Sequence, residues 1–128
     1  MRTLLILLSA TTLMACQADP ISLVLTKEGT ATLTNGTGVP IYYQGYAVDS
    51  PVFSRESWDD STWQAEPVGW CGTGLSRQTL PAGKKATFAA SAPADAARWR
   101  LVMTVQRAEG EARMYSNPVD VDGREVER

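Results

Sequence analysis

The sequence predicts an all-β protein, a small antiparallel β-sandwich of about six to eight strands behind a cleaved N-terminal signal. Three observations point there. No segment of ten or more residues carries a helical apolar stripe. Short runs with period-2 alternation recur along the chain, separated by turn residues. The chain has 128 residues, room for one domain, and is 44% hydrophobic and 20% charged, which is globular rather than disordered.

Charge and composition exclude several functions. Lys plus Arg is 12 and Asp plus Glu is 14, a net charge of -2, so a role in gripping nucleic-acid phosphates is not expected. There is no histidine. That removes Ser-His-Asp and Cys-His catalysis, His-ligated zinc and a histidine pH switch. Two cysteines are too few for a four-cysteine zinc or iron–sulfur site. No cofactor and no metal are expected.

The first element is an address. Met1-Arg2-Thr3 is positive, Leu4 to Leu8 is unbroken aliphatic, and the apolar or small run continues to Ala15. As a helix about 12 residues reach only ~18 Å, too short for a ~30 Å hydrocarbon core. The run ends in Leu13-Met14-Ala15-Cys16, which resembles the lipobox of bacterial lipoproteins. Met14 departs from the smaller residue more usual at its position. The resemblance implies diacylglyceryl transfer to Cys16, cleavage after Ala15, and acylation, as by palmitate, of the new amino terminus. Two chains anchor stably where one is marginal. The alternative is an ordinary secretory signal with an incidental Cys16. Gln17, where Asp would signal inner-membrane retention in enteric bacteria, points to the outer membrane. The expected organisation is signal peptide 1–15, lipid-anchored tether 16–20, sandwich 21–121 and charged tail 122–128. Without residues 1–15 the chain has 113 residues and, Arg2 gone, 11 bases against 14 acids, a net charge of -3.

Strand signals follow. Ile21 to Leu25 is apolar and β-branched; Ala31 to Thr34 alternates and stops at Asn35-Gly36, a turn dipeptide. Val39 to Val48 holds Tyr42, Tyr43 and Tyr46. Pro81-Ala82-Gly83 turns, and Lys84 to Ala90 alternates around Ala86 and Phe88. Pro93 to Arg98 offers a single Ala-rich turn. Trp99, Leu101, Met103 and Val105 occupy every second position of a long strand with one buried face. Arg100, Val102 and Thr104 take its other face, read as solvated or edge-protecting. Met114 to Ser116 and Val119 to Val121 form a last strand, interrupted at Asn117-Pro118. The layout of "LTNGTGVPIYYQGYA", "LPAGKKATF" and the long strand resembles small exported immunoglobulin-like domains, without the Cys–Trp–Cys core of antibody domains. A barrel is the alternative closure.

Residues 49–74 fit this rhythm poorly and read as a long loop. The window 42–70 carries seven of the ten aromatic residues, with Asp49, Glu56, Asp59, Asp60 and Glu66 against Arg55 alone. Tyr43, Trp70 and Trp99 are expected in the core. Trp58 and Trp63 are expected to cap the open end of the sandwich. The alternative makes Tyr46, Trp58 and Trp63 a platform for a sugar, with Asp59 and Asp60 as polar contacts. "DDST" offers about four oxygens where calcium wants six to eight. Cys71, left without a partner once Cys16 is lipidated, is expected to be buried and inert; the alternative is a disulfide between chains. Gly72-Thr73-Gly74 reads as a turn, since the Lys-Ser/Thr ending of a phosphate loop is missing.

These observations lead to an expected non-enzymatic envelope lipoprotein, tethered to a membrane through Cys16 and binding an envelope protein as an accessory or assembly subunit. The alternative is a carbohydrate- or cell-wall-binding module that uses the loop 49–74.

Overall fold

The structure, a computed structural model, describes residues 20–66 and 69–121. The signal, Cys16 and the charged tail lie outside the described residues. Within them the chain is all β, and no helix occurs.

Two antiparallel sheets pack face to face. The smaller has the order β1-β2-β8, from β1 (Ile21–Leu25), β2 (Thr30–Asn35) and β8 (Lys85–Ala89). The frame of the larger is β7-β3-β9-β10, from β3 (Ile41–Ala47), β7 (Ser76–Leu80), β9 (Arg98–Arg107) and β10 (Gly110–Tyr115). The two-residue β11 (Val119–Asp120) continues the β10 side of β9. Alternation dictates which face each residue takes. Leu23, Leu33, Ile41, Trp99, Leu101, Met103 and Val105 are buried between the sheets, and Trp99 keeps only 2% exposure.

Asn35, at 0% exposure, holds the corner where the chain changes sheets. Its amide donates to the carbonyls of Val39, Leu80 and Pro81 at 2.9, 3.0 and 3.2 Å, and its oxygen accepts from Thr37. Both crossovers, β2 to β3 and β7 to β8, are thus tied to one side chain. The turn expected at Asn35-Gly36 is there, built on a wider loop. The Gly36 amide meets the Pro20 carbonyl at 2.6 Å, and a Cβ on Gly36 would lie 2.6 Å from that oxygen. A second tie joins the sheets at the far end. Asn117 accepts from the Leu25 amide at 2.8 Å and donates to the Leu25 carbonyl at 2.9 Å, as a neighbouring strand would.

The segment between β3 and β7 is an insertion rather than a loop, which corrects the reading of 49–74. It contains β4 (Ser50–Pro51), β5 (Ser54–Trp58) and β6 (Trp63–Glu66). β4 returns along β3 across a bulge, close enough that a Cβ on Gly45 would lie 2.7 Å from the Ser50 carbonyl. β5 and β6 form a hairpin, and β5 pairs with residues 99–102 of β9. β3 meets β9 only at Tyr42↔Gln106, because β5 occupies the rest of that edge. The hairpin lies beside the segment that follows β8, an edge strand of the smaller sheet. Its inward-side residues are Arg55, Ser57, Gln64 and Glu66, with Ser57 donating to Glu66 at 2.9 Å and Arg55 to the Ser91 carbonyl at 2.9 Å. With no sheet above them, these positions carry no apolar alternation to read. The described residues therefore form eleven strands, more than expected; the difference comes from this insertion, from β7 and from the two-residue pieces.

Candidate functional site

The outer face of the larger sheet assembles an aromatic and basic patch from four strands. Register sets it: Glu56 lies opposite Arg100, Trp58 opposite Trp63, and Tyr115 opposite Val102. Since Trp99 points inward, Arg100 points outward with Glu56 on the neighbouring strand. The Arg100 guanidinium binds the Glu56 carboxylate twice, Nη2 at 2.7 Å and Nε at 2.8 Å from Oε1. It also lies 4.3 Å from the Trp63 ring centroid and 4.4 Å from that of Tyr115. A guanidinium between two rings gains from both π faces. Trp58 packs on Trp63 with centroids 5.3 Å apart at 59°. Arg100 is thus neither solvated nor edge-protecting. It is half-buried and joins Trp63 to Tyr115.

The structure places the other expected site residues differently. Trp58 and Trp63 are half-buried across the β5–β6 hairpin, so they cover its outer side rather than the open end of the sandwich. Asp59 belongs to the hairpin turn. Its Oδ1 accepts from the amides of Thr62 and Ser61 at 2.8 and 3.1 Å and from the Ser61 hydroxyl, and Oδ2 accepts from Gln64 at 2.8 Å. The Thr62 amide first, then the Ser61 amide and Gln64, hold its carboxyl down to about 2 from an ordinary 3.8. Donors aimed at the charged form favour it. Asp60 is exposed with φ 76°, where Asp is tolerated in a turn.

Tyr46 lies in a second aromatic cluster, with Trp70 rather than with the Trp58–Trp63 pair. Its ring is 6.2 Å from Trp70, and its hydroxyl donates to the Cys71 carbonyl. Trp70 donates from its indole to the Phe53 carbonyl at 2.8 Å and packs edge-on against Phe53, which in turn meets Phe88. Tyr43 and Trp99 are buried as expected; Trp70 is half-buried, pinning the 69–75 segment from outside. Cys71 is exposed, which corrects its expected burial. The Tyr46 contact uses the Cys71 backbone and leaves the thiol outward. Hydrogen bonds from Thr73 hold that thiol below its ordinary 9.0.

Where β3 and β9 diverge around the insertion, a cavity of about 300 Å³ opens on the outer face. Tyr42, Gln44, Thr104, Gln106, Arg77 and Arg113 are among its walls. Arg77 lies 3.8 Å over the Tyr42 ring. Among the described residues no group of three or more His, Cys, Asp or Glu could hold a metal ion.

Sequence reasoning named Trp58 and Trp63 but missed Arg100, Glu56 and Tyr115. The alternation around Trp99 did put Arg100 on the outer face, but as a solvated or edge-protecting charge rather than as the partner of two rings. Glu56 and Tyr115 needed the pairing of β5 and β10 with β9. Comparison with protein-family models, with curated proteins and with solved structures finds no match.

Proposed function

We propose that this chain is a non-enzymatic, lipid-anchored protein of the bacterial envelope that binds a partner protein through the outer face of its larger sheet. The observation that carries this is the Trp63–Arg100–Tyr115 stack with its Glu56 ion pair. Trp, Tyr and Arg are the residues in which binding energy concentrates at protein interfaces. Here they are held on strands and arranged before any partner arrives, which lowers the ordering cost of binding. Anchorage is supported by the Leu13-Met14-Ala15-Cys16 motif, and Gln17 supports the outer membrane. Three strands, β1-β2-β8, over the four-stranded frame β7-β3-β9-β10 of the eight-stranded sheet support an immunoglobulin-like reading of the sandwich.

A glycan is the second reading, favoured by the cavity of about 300 Å³ at the fork of β3 and β9, within the size range of small-molecule sites. Two facts weigh against the hairpin as the sugar platform. Trp63 already has a guanidinium against its ring, and Asp59 already accepts four hydrogen bonds from its own hairpin.

Photo-crosslinking in intact cells tests the proposal. A crosslinker at Tyr115 is expected to give one discrete protein adduct that is lost in Arg100→Ala, while one at Val24 on the opposite sheet gives none. Adducts of equal yield from both positions would refute the outer face as the interface. Loss of binding to the envelope fraction in Cys16→Ser tests the anchor separately. Pelleting with cell-wall polymer, abolished by substitutions in the cavity, would favour the glycan.

A further inference from the structure

The strand ladders give the domain two unlike ends. The end where the tether enters carries Pro20, bonded to Gly36, and the turns at 36–40, 81–84 and 108–109. The opposite end carries the turns at 26–29, 48–49 and 59–62 and the segment 90–97. Registers fix this assignment: Ile21 pairs with Asn35, Tyr42 with Gln106 and Gly110 with Arg107 toward the first end, and Leu25 with Ala31, Ser57 with Trp99 and Asp120 with Arg98 toward the second. Among the described residues the tether end holds Lys84, Lys85 and Arg107 against Glu109 and Glu111, and the tether itself adds Asp19. The opposite end holds Lys27 and Arg98 against Glu28, Asp49, Asp59, Asp60, Asp95 and Asp120.

We infer that the domain stands on an anionic phospholipid surface on its tether end, with Lys84 and Lys85 toward the headgroups and the acidic end directed outward. This rests on the anchorage of Cys16 proposed above. Four Cα–Cα steps lead from Cys16 to Pro20, a reach of at most ~14 Å when fully extended. That is an upper limit, somewhat beyond one Debye length, so a slack tether lets Lys84 and Lys85 come within the range where headgroup charge is felt. The acidic end lies beyond the ten residues of β9, about 30 Å further out. At that distance the two bases and six acids of the outer end are screened from a negative surface, whereas the inverted pose would press that net negative end against it and take the lysines away. In this pose the Trp58–Trp63 hairpin and Cys71, both toward the acidic end, face away from the bilayer and into reach of a partner.

Lipidated full-length protein in vesicles containing phosphatidylglycerol tests the pose. In a Cys71→Ser background a fluorophore goes on Ala82→Cys at the tether end or on Ala94→Cys at the other, both exposed positions. A quencher attached to lipid headgroups is expected to quench the Ala82 probe several-fold more than the Ala94 probe. The difference shrinks when Lys84→Glu and Lys85→Glu are introduced, or when the lipid is neutral. Equal quenching at both positions in protein that floats with the vesicles overturns the orientation alone. A Cys16 without lipid by mass spectrometry, and protein that fails to float, overturns the anchor and the orientation with it. A difference that survives Lys84→Glu/Lys85→Glu overturns the lysine contact.

Discussion

The framework strands and the insertion between β3 and β7 follow different rules. In β9 and β8 every second residue is apolar, because another sheet covers them and a misplaced polar group would be buried unpaired. In the β5–β6 hairpin both sides are polar or aromatic apart from Ala65, because one side has no sheet above it and the other faces outward. The framework is held by burial. The insertion is held by pairing along β9, by ring contacts and by the Arg100–Glu56 ion pair. The difference teaches that a sequence advertises a strand through what covers it, not through the strand itself.

This contrast makes a graded set of expectations. Trp99→Ala empties the centre of the framework and should cost about 3–5 kcal/mol in urea unfolding. A cost near that of an exposed residue would mean that the two sheets are not packed through β9. Asn35→Ala should cost roughly 3 kcal/mol, since it strands buried carbonyls of both crossovers. If only one crossover depended on it, amide exchange would rise near Val39 or near Leu80 but not at both.

The insertion should respond more weakly. Trp58→Ala with Trp63→Ala removes a half-buried pair outside the core, and a global cost of about 1–2 kcal/mol is expected. A loss as large as that of Trp99 would merge the two regions into one cooperative core. Tyr43→Phe removes the hydroxyl that donates to the Val48 carbonyl at 2.5 Å, at about 1 kcal/mol. Burial first, and then Asp49, push the Tyr43 hydroxyl up from 10.0 to about 12. Its folded pKa is raised, so its contribution is whole below pH 10 and fades as pH climbs toward 12. Stability of Tyr43→Phe and of the parent should converge over that window. At the acid end the smallest effect is local. Asp59 has a depressed folded pKa, so its support of the hairpin turn is present above its ordinary 3.8 and is lost as pH falls toward about 2. Amide shifts of Ser61 and Thr62 should move over that range in the parent and stay flat in Asp59→Asn.

Legibility divides along the same line. Ile21 to Leu25, Lys84 to Ala90 and Trp99 to Val105 could be read as strands because their alternation is imposed by burial. Ser76–Leu80 could not, since only Leu80 of that strand is fully buried. The tryptophans at 58 and 63 stood out by composition, yet their setting did not. Asp59 looked like a ligand carboxylate because the sequence cannot show that Thr62, Ser61 and Gln64 turn back onto it. Cys71 looked buried between Trp70 and Leu75, while its orientation depends on a contact from Tyr46, 25 residues away.

The Asn117 clasp on Leu25 has one more consequence. β1 is an outer strand of its sheet, and an outer strand is a template on which another chain can grow. Any open ladder becomes a hazard in proportion to crowding. By filling both backbone positions of Leu25, a single amide side chain acts as a terminator there. It leaves an incoming strand nothing to zip onto at the end of β1, and so helps keep neighbours from becoming fibres.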